Sequence, residues 1–449
     1  MKKILATSAE FILSFLLLLL NLINYHYPIN RFMFFAAGLV LFVVLFWVCA
    51  TKSKSFLVAC AMMFCHTWQI SWYNIFGSPT AVLQLPWFYV VGVIILAYAI
   101  FNYRKIYAAK VNPYLLSVLS FLIFFSFVPL ILSPSIVEAL KEYIMIMFYL
   151  IIVAVSFFYA DSADSKAGEH IFNSYIWCVF ISCALIIFQA IAFFTFGIYF
   201  FYHSQGEFFG NATQTFGLMM GDLSSATIML GSAVFLCINK LEKKKNPLLY
   251  SFIILTIIIG MTFTSRRTST VTLVVVLALY ALTHYKGTFK KIVAIFFFAI
   301  IAGIMLYYFQ YTRPMDDLST IFYDNARFAN YFRVIEVTAT HPFGVGYDGV
   351  YSNSFMTDNI APHNTFLRWT LMGGPLFSVS LTLVPLYALH IARKKKLNTV
   401  FWIILYALAA SNFIPDILTA RFFIIPCICA FLLKSNDKVT KEAPKLRIN

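Results

Sequence analysis

The residues of this chain able to do chemistry gather in three short stretches, each beside a long apolar run. TSRRTST sets Arg266 and Arg267 between two hydrophobic segments. ARFANYFRVIEVTAT carries Arg327 and Arg333 and runs into HPFGVGYDG. PHNTFL sets His363 and Asn364 at the start of another apolar segment. Guanidinium groups present a planar fork that fits phosphate oxygens two at a time, which an ammonium cannot do. The ordinary alternative for arginines at helix ends is snorkelling to a membrane interface. His363 follows Pro362 and precedes two residues, Asn364 and Thr365, either of which can cap an incoming helix. A histidine there sits at a helix N-terminus, where the dipole disfavours added positive charge. It therefore stays a neutral imidazole, the form that can accept a proton. The three stretches together read as anion binding plus one base.

Spacing then separates the arginines. Phe328, Tyr331, Phe332 and Ile335 recur at the intervals of an amphipathic helix lying on a membrane or on a helical bundle. On such a helix Arg327 and Arg333 point about 120° apart at ~100° per residue, so both do not address one small anion. Arg333 has Glu336 three positions on and reads as half of an intrahelical pair. Arg327 has only Asp324 as an acidic neighbour on its own face. The helix is expected to stop at His341-Pro342, because a residue before proline avoids the helical region. Gly344, Gly346 and Gly349 then supply turns.

The elements that must position these groups are membrane helices. Of 449 residues 61% are hydrophobic and 11% charged, against about 25% charged in soluble domains. The apolar blocks lie near the ~20 residues that cross a ~30 Å hydrocarbon core. The spans read as about 8–25, 32–50, 55–72, 84–101, 114–133, 142–160, 171–199, 224–238, 248–264, 268–284, 290–311, 366–392, 398–414 and 417–433. The expected fold is therefore all-α: one polytopic membrane domain over 1–449 with about 12–14 transmembrane helices. Residues 312–365 form its one large extracytoplasmic loop, which contains the amphipathic helix.

Cytoplasmic loops carry the excess of Lys and Arg, which places both termini inside. On that topology 24 basic and seven acidic residues lie inside, giving +17, and nine basic and eleven acidic lie outside, giving −2. The nine are Arg31, Lys141, Arg266, Arg267, Arg313, Arg327, Arg333, Arg368 and Arg421. Eight of these nine are arginine, whereas lysine dominates inside, and the phosphates expected at that depth belong to lipid headgroups or lipid-linked substrates. The +15 net charge is thus a topology signal, and no soluble basic module with stacking aromatics suggests nucleic acid. MKK followed by FILSFLLLLL lacks a small-residue cleavage site and reads as a retained helix. All eight cysteines fall in or beside spans, with no zinc spacing, and read as small core hydrophobes. A second outer loop, about 200–223, holds His203, Glu207 and Asp222. Asp316-Asp317 is the one adjacent outer acidic pair, and its side chains converge poorly for a metal. No metal and no cofactor is expected.

In their order, SRR before a hydrophobic helix, RFANYFRVIEVTATHPFGVG in a large outer loop, and PHNTFL entering a helix with Gly373-Gly374 resemble the O-antigen ligase and polymerase superfamily. The resemblance covers about residues 250–390, and the N-terminal half carries no matching motif. Arg327 stands fifteen residues before Pro342, like the family's run from an arginine to HP-x-x-GVG. Arg333 to Gly344 matches its arginine-x10-glycine pattern. The resemblance implies a GT-C type membrane glycosyltransferase. Such an enzyme transfers a glycan from an undecaprenyl-pyrophosphate donor at the outer leaflet of a bacterial plasma membrane, without a metal ion. It implies that Arg266 and Arg327 contact the pyrophosphate and that His363 acts near the acceptor. Arg267, Arg333, Asn364, Gly344 and Gly346 are the expected substrate-contacting positions. The expected partners are the lipid-linked donor, the glycan acceptor, the bilayer, a chain-length regulator and a flippase.

Displacing a sugar from a pyrophosphate builds negative charge on the leaving group. One guanidinium contact there stabilises the transition state by roughly 3–4 kcal/mol, or 10²–10³ in rate. Within the family the expected activity is polymerisation of surface-polysaccharide repeat units, with ligation to lipid A-core as the alternative. A flippase or transporter of lipid-linked sugars is the rival of another class. Its sign would be ionisable residues at mid-membrane, for which His66 is the visible position.

Overall fold

The computed structural model describes residues 2–53, 55–71, 73–77, 85–104, 113–159, 166–198, 216–218, 220, 223–312, 325–415, 418 and 423–434. Among them the chain is helical throughout, with no strand. In chain order the helices are α1 (Lys2–His26), α2 (Arg31–Lys52), α3 (Phe56–Thr67), α4 (Trp87–Phe101), α5 (Pro113–Leu132), α6 (Ile136–Phe158), α7 (Ala167–Phe196) and α8 (Leu223–Glu242). They continue as α9 (Pro247–Phe263), α10 (Arg267–His284), α11 (Thr288–Thr312), α12 (Asn325–Thr340), α13 (Gly349–Ser354), α14 (Thr365–Lys394), α15 (Asn398–Ala410) and α16 (Ile424–Leu432). Backbone polar groups must be satisfied within a segment where no water reaches, and a helix does this for any apolar sequence.

Among the described residues eight helices are long and apolar enough to cross a membrane: α1 from Ser8 onward, α2, α6, α7, α8, α10, α11 over Lys291–Tyr308, and α14. The others differ from the expected spans in length. α3 gives way to a 3₁₀ turn at Trp68–Ile70, α15 ends at Ala410, and α16 covers only Ile424–Leu432. The long segment near 171–199 is one unbroken 30-residue helix.

Burial explains why the short helices can be short. Every residue of α16, and Leu57 through Thr67 of α3, is buried by protein. α16 packs against α3, α6, α14 and α15, so it forms the centre of the bundle. The lipid-length helices surround it with exposed apolar side chains such as Val40, Phe188 and Phe296, the surface expected against hydrocarbon rather than water.

Hydrogen bonds between helix ends define two ends of the bundle. One carries Asn24 Nδ2 on Gly77 O (2.9 Å), Thr227 beside Thr264 (3.0 Å) and Thr365 Oγ1 on Ile414 O (2.7 Å). The other carries Lys240 Nζ on Asn173 (2.7 Å), Lys245 Nζ on Glu169 (2.6 Å) and Lys395 Nζ on Leu433 O (2.9 Å). Lysines collect at the second end. The three stretches singled out above collect at the first.

Candidate functional site

α14 organises this end. Asn364 caps it, its side-chain oxygen accepting from Phe366 N (3.0 Å) and Leu367 N (3.1 Å). Asn364 Nδ2 also donates to Asn412 O (3.2 Å). The cap is therefore Asn364. Thr365 is buried and bonded into the last turn of α15, through Thr365 N to Ser411 O (2.8 Å). His363 is half-buried just before the cap, and Tyr331 Oη on α12 donates to its carbonyl (3.1 Å).

About three helical turns beyond, α14 breaks. Gly374 adopts φ 79°, ψ 173°, followed by Pro375. A proline has no N–H for the carbonyl four residues earlier, which here is that of Leu371. The glycine turn fills the gap: Val345 N donates to Leu371 O and Gly346 N to Met372 O, each at 2.9 Å. The approach is close enough to require glycine. A Cβ on Gly344 (φ 80°) would lie 2.3 Å from Met372 O, and one on Gly346 (φ 103°) 2.5 Å from Ser133 Oγ. The space these glycines leave is filled by protein, and they dock the loop against α14 and the end of α5. Gly349 makes no turn of that kind; it begins α13, capped by Asp348.

α12 stops at Thr340, as His341-Pro342 requires, and of the two placements expected for its apolar stripe, on a membrane or on the bundle, the bundle is not the one observed. Asn330, Val334 and Val337 are the residues packed inward, with Val345, Met356 and Leu371 around the two valines. Phe328, Phe332 and Ile335 face outward, 41%, 68% and 63% exposed. The stripe thus addresses the surroundings and not the bundle. Hydrophobic periodicity finds an apolar face without telling protein from lipid. Arg333 gives Nη1 to Glu336 (2.8 Å) and Nε to Phe355 O (3.0 Å), which accounts for it locally. Arg327 lies in the first turn of α12, but its side chain falls outside the described residues. So do Asp316, Asp317, Asp324, His203, Glu207 and Asp222, and the arginines 313 and 421.

Arg266 and Arg267 lie at the start of α10, Arg266 in extended conformation before the first turn. Thr270 Oγ1 donates to Arg266 O (3.1 Å). Thr270 is also the polar rim of an apolar groove of about 490 Å³ between α8, α9, α10 and α11. Its walls include Leu273, Leu277, Ile254, Ile258, Phe298 and Met305, and it reaches Tyr285 and Phe289 at the lysine-rich end. At ~1.5 Å per helical residue, Thr270 to Tyr285 spans about 22 Å, most of a hydrocarbon core. α15 stands between this groove and His363. Its Tyr406 Oη donates to Ser269 O (2.8 Å), and its last turn holds Thr365. The structure thus brings Arg266, Arg267 and His363 to one end, on two sides of α15.

Two polar features here were not visible from spacing. Arg368 Nη2 lies 3.6 Å from Glu142 Oε1 on α6, one turn past His363. Tyr347, fully buried, donates its hydroxyl to Ser126 O (2.9 Å). Burial, with Glu142 near, pushes the Tyr347 phenol well above its usual range, so it remains a neutral donor. Both contacts join residues more than two hundred positions apart, beyond what local pattern can carry. Comparison with models of known protein families gives no match to this chain, and comparison with curated proteins gives none.

Proposed function

We propose that the chain is a membrane glycosyltransferase of GT-C type that polymerises glycan repeat units carried on undecaprenyl pyrophosphate. In this reading it has 12–14 spans in a bacterial plasma membrane, cytoplasmic termini, and its site at the extracytoplasmic face. One observation carries the reading: two arginines begin the helix whose Thr270, one turn on, lines an apolar groove long enough to hold an isoprenoid chain across most of the bilayer. A ligand with an anionic head and a long hydrocarbon tail fits that combination, and a sugar pyrophosphate lipid is one. Arg266 and Arg327 would take the developing charge on the pyrophosphate, and His363 the proton of the acceptor hydroxyl. No metal ion enters that transfer step.

The test is transfer by purified protein in proteoliposomes with a synthetic lipid-pyrophosphate glycan. A polymer ladder on the lipid is expected, and transfer to lipid A-core instead would make the enzyme a ligase. If the donor crosses the bilayer with no new glycosidic bond, the chain is a transporter. That second reading draws on one observation, a buried ionisable cluster around His66, of the kind transport proteins place inside the membrane.

A further inference from the structure

The cluster around His66 lies away from the arginine groove, in the helices α1, α2, α3 and α7. It has a composition of its own. Glu10 and His66 are each 2% exposed and Cys49 is fully buried. The atoms that these three side chains could offer a metal all lie within 4.8 Å of one another. His66 Nε2 is 2.7 Å from Glu10 Oε1. The other ring nitrogen, Nδ1, is 3.0 Å from Ser14 Oγ and 3.0 Å from Cys178 Sγ. Ser174 donates to the Glu10 oxygen that faces His66, and Lys52 to the other.

A carboxylate, an imidazole and a thiol on three different helices are a donor set for a borderline-soft cation. Magnesium and calcium demand oxygen ligands; zinc accepts all three. Tetrahedral zinc bonds of about 2.0–2.3 Å place donor atoms roughly 3.3–3.7 Å apart. The three donors reach that spacing with shifts of under about an ångström. The ring is also held as metal-bound imidazoles are, one nitrogen toward the ligand atoms and the other fixed by a partner, here the Ser14 hydroxyl. Lys52 is the competing cation on Glu10. It lies in the last turn of α2 and is more exposed than Glu10, Cys49 or His66, at 12% of its side chain. It can therefore turn outward when a cation takes its place.

We propose that Glu10, Cys49 and His66 form a zinc site that ties α1, α2 and α3 together, with Nε2 of His66 as the imidazole ligand. Binding releases the Cys49 thiol proton, since zinc takes the thiolate. The fourth position is left to water or the Ser174 hydroxyl. The site is independent of the glycosyltransferase reading, because its ligands stand on α1, α2 and α3 and not on the helices that carry Arg266 and His363. Linear spacing could not show it, because each ligand belongs to a different helix.

The experiment uses the full chain, purified without a polyhistidine tag, saturated with Zn²⁺, desalted and analysed for metal. Roughly one zinc per chain is expected, falling to background in His66→Ala and in Cys49→Ser. Replacing zinc by Co²⁺ provides a second readout that reports the ligands directly. The thiolate-to-cobalt charge-transfer band should be present in the native chain and in Cys178→Ala, and absent in Cys49→Ser. Size-exclusion profiles of each variant show whether loss of metal is loss of fold. Native protein that holds no zinc overturns the site. So does a His66→Ala variant that binds as much zinc as the native chain. A cobalt band that vanishes with Cys178 and survives loss of Cys49 overturns the ligand set.

Discussion

At the scale of single residues, charge and backbone conformation make different demands, and substitutions separate them. Arg266→Ala should lower glycan transfer by roughly 10²–10³ at normal protein level, the usual effect of losing one charge-stabilising donor. Arg266→Lys should recover little of it, because a point charge replaces a fork. Near-full activity of the lysine variant would rule out bidentate recognition. For His363 the informative change is to glutamine, which can hydrogen-bond an acceptor sugar but cannot take its proton. A loss of roughly a hundredfold, the scale of general base catalysis, with donor affinity unchanged, is expected in a purified assay. Activity within about threefold of native would leave His363 a positioning group. Gly344→Ala makes no such chemical statement. It forces a side chain to φ 80° with its Cβ 2.3 Å from a backbone oxygen. The expected cost is at least about 1–3 kcal/mol, seen as a lowered melting temperature in detergent.

At the scale of elements, the legible and the illegible parts divide along the chain. The Asn364 cap, the Arg333–Glu336 pair and the end of α12 before Pro342 depend on neighbours within four residues; sequence spacing reached the pair and the helix end and narrowed the cap to Asn364 or Thr365. Which face of α12 packs inward did not follow, because Phe332 and Ile335 suit a lipid surface as well as a core. The break in α14 could be suspected from Gly374-Pro375, but its partner, the amides of Val345 and Gly346, could not. The same holds for Arg368 with Glu142, and for Glu10, Cys49 and His66, whose proximity exists only once several helices are packed. Arg333→Ala follows from the local account. Its ion pair is exposed, with side chains 50% and 64% accessible, and is worth about 0–1 kcal/mol. The variant should fold and keep most of its activity; a folded but inactive protein would mean that Arg333 meets the substrate.

At the scale of the whole molecule, the two ends of the bundle must face different compartments. All eight cysteines are buried, so introduced thiols can be read with little background. Val350 is 83% exposed at the arginine end, and Lys243 is exposed at the lysine-rich end. A cysteine at position 350 should react with an impermeant reagent on intact cells, and one at 243 only after permeabilisation, as the basic-residue bias requires. The reverse pattern would invert the topology and remove the basis for an outward-facing site.

The groove between α8 and α11 is lined almost wholly by apolar side chains, and a lipid tail held there, as proposed, arrives sideways, from within the bilayer. For such a site the quantity that governs saturation is the ligand's mole fraction in the membrane and not its concentration in the buffer. Adding inert lipid to proteoliposomes at constant total donor should therefore slow the reaction by dilution in two dimensions, while changing the aqueous volume should leave it unaltered. Inhibitors of this protein should rank by how well they partition into the membrane as much as by how well they fit it.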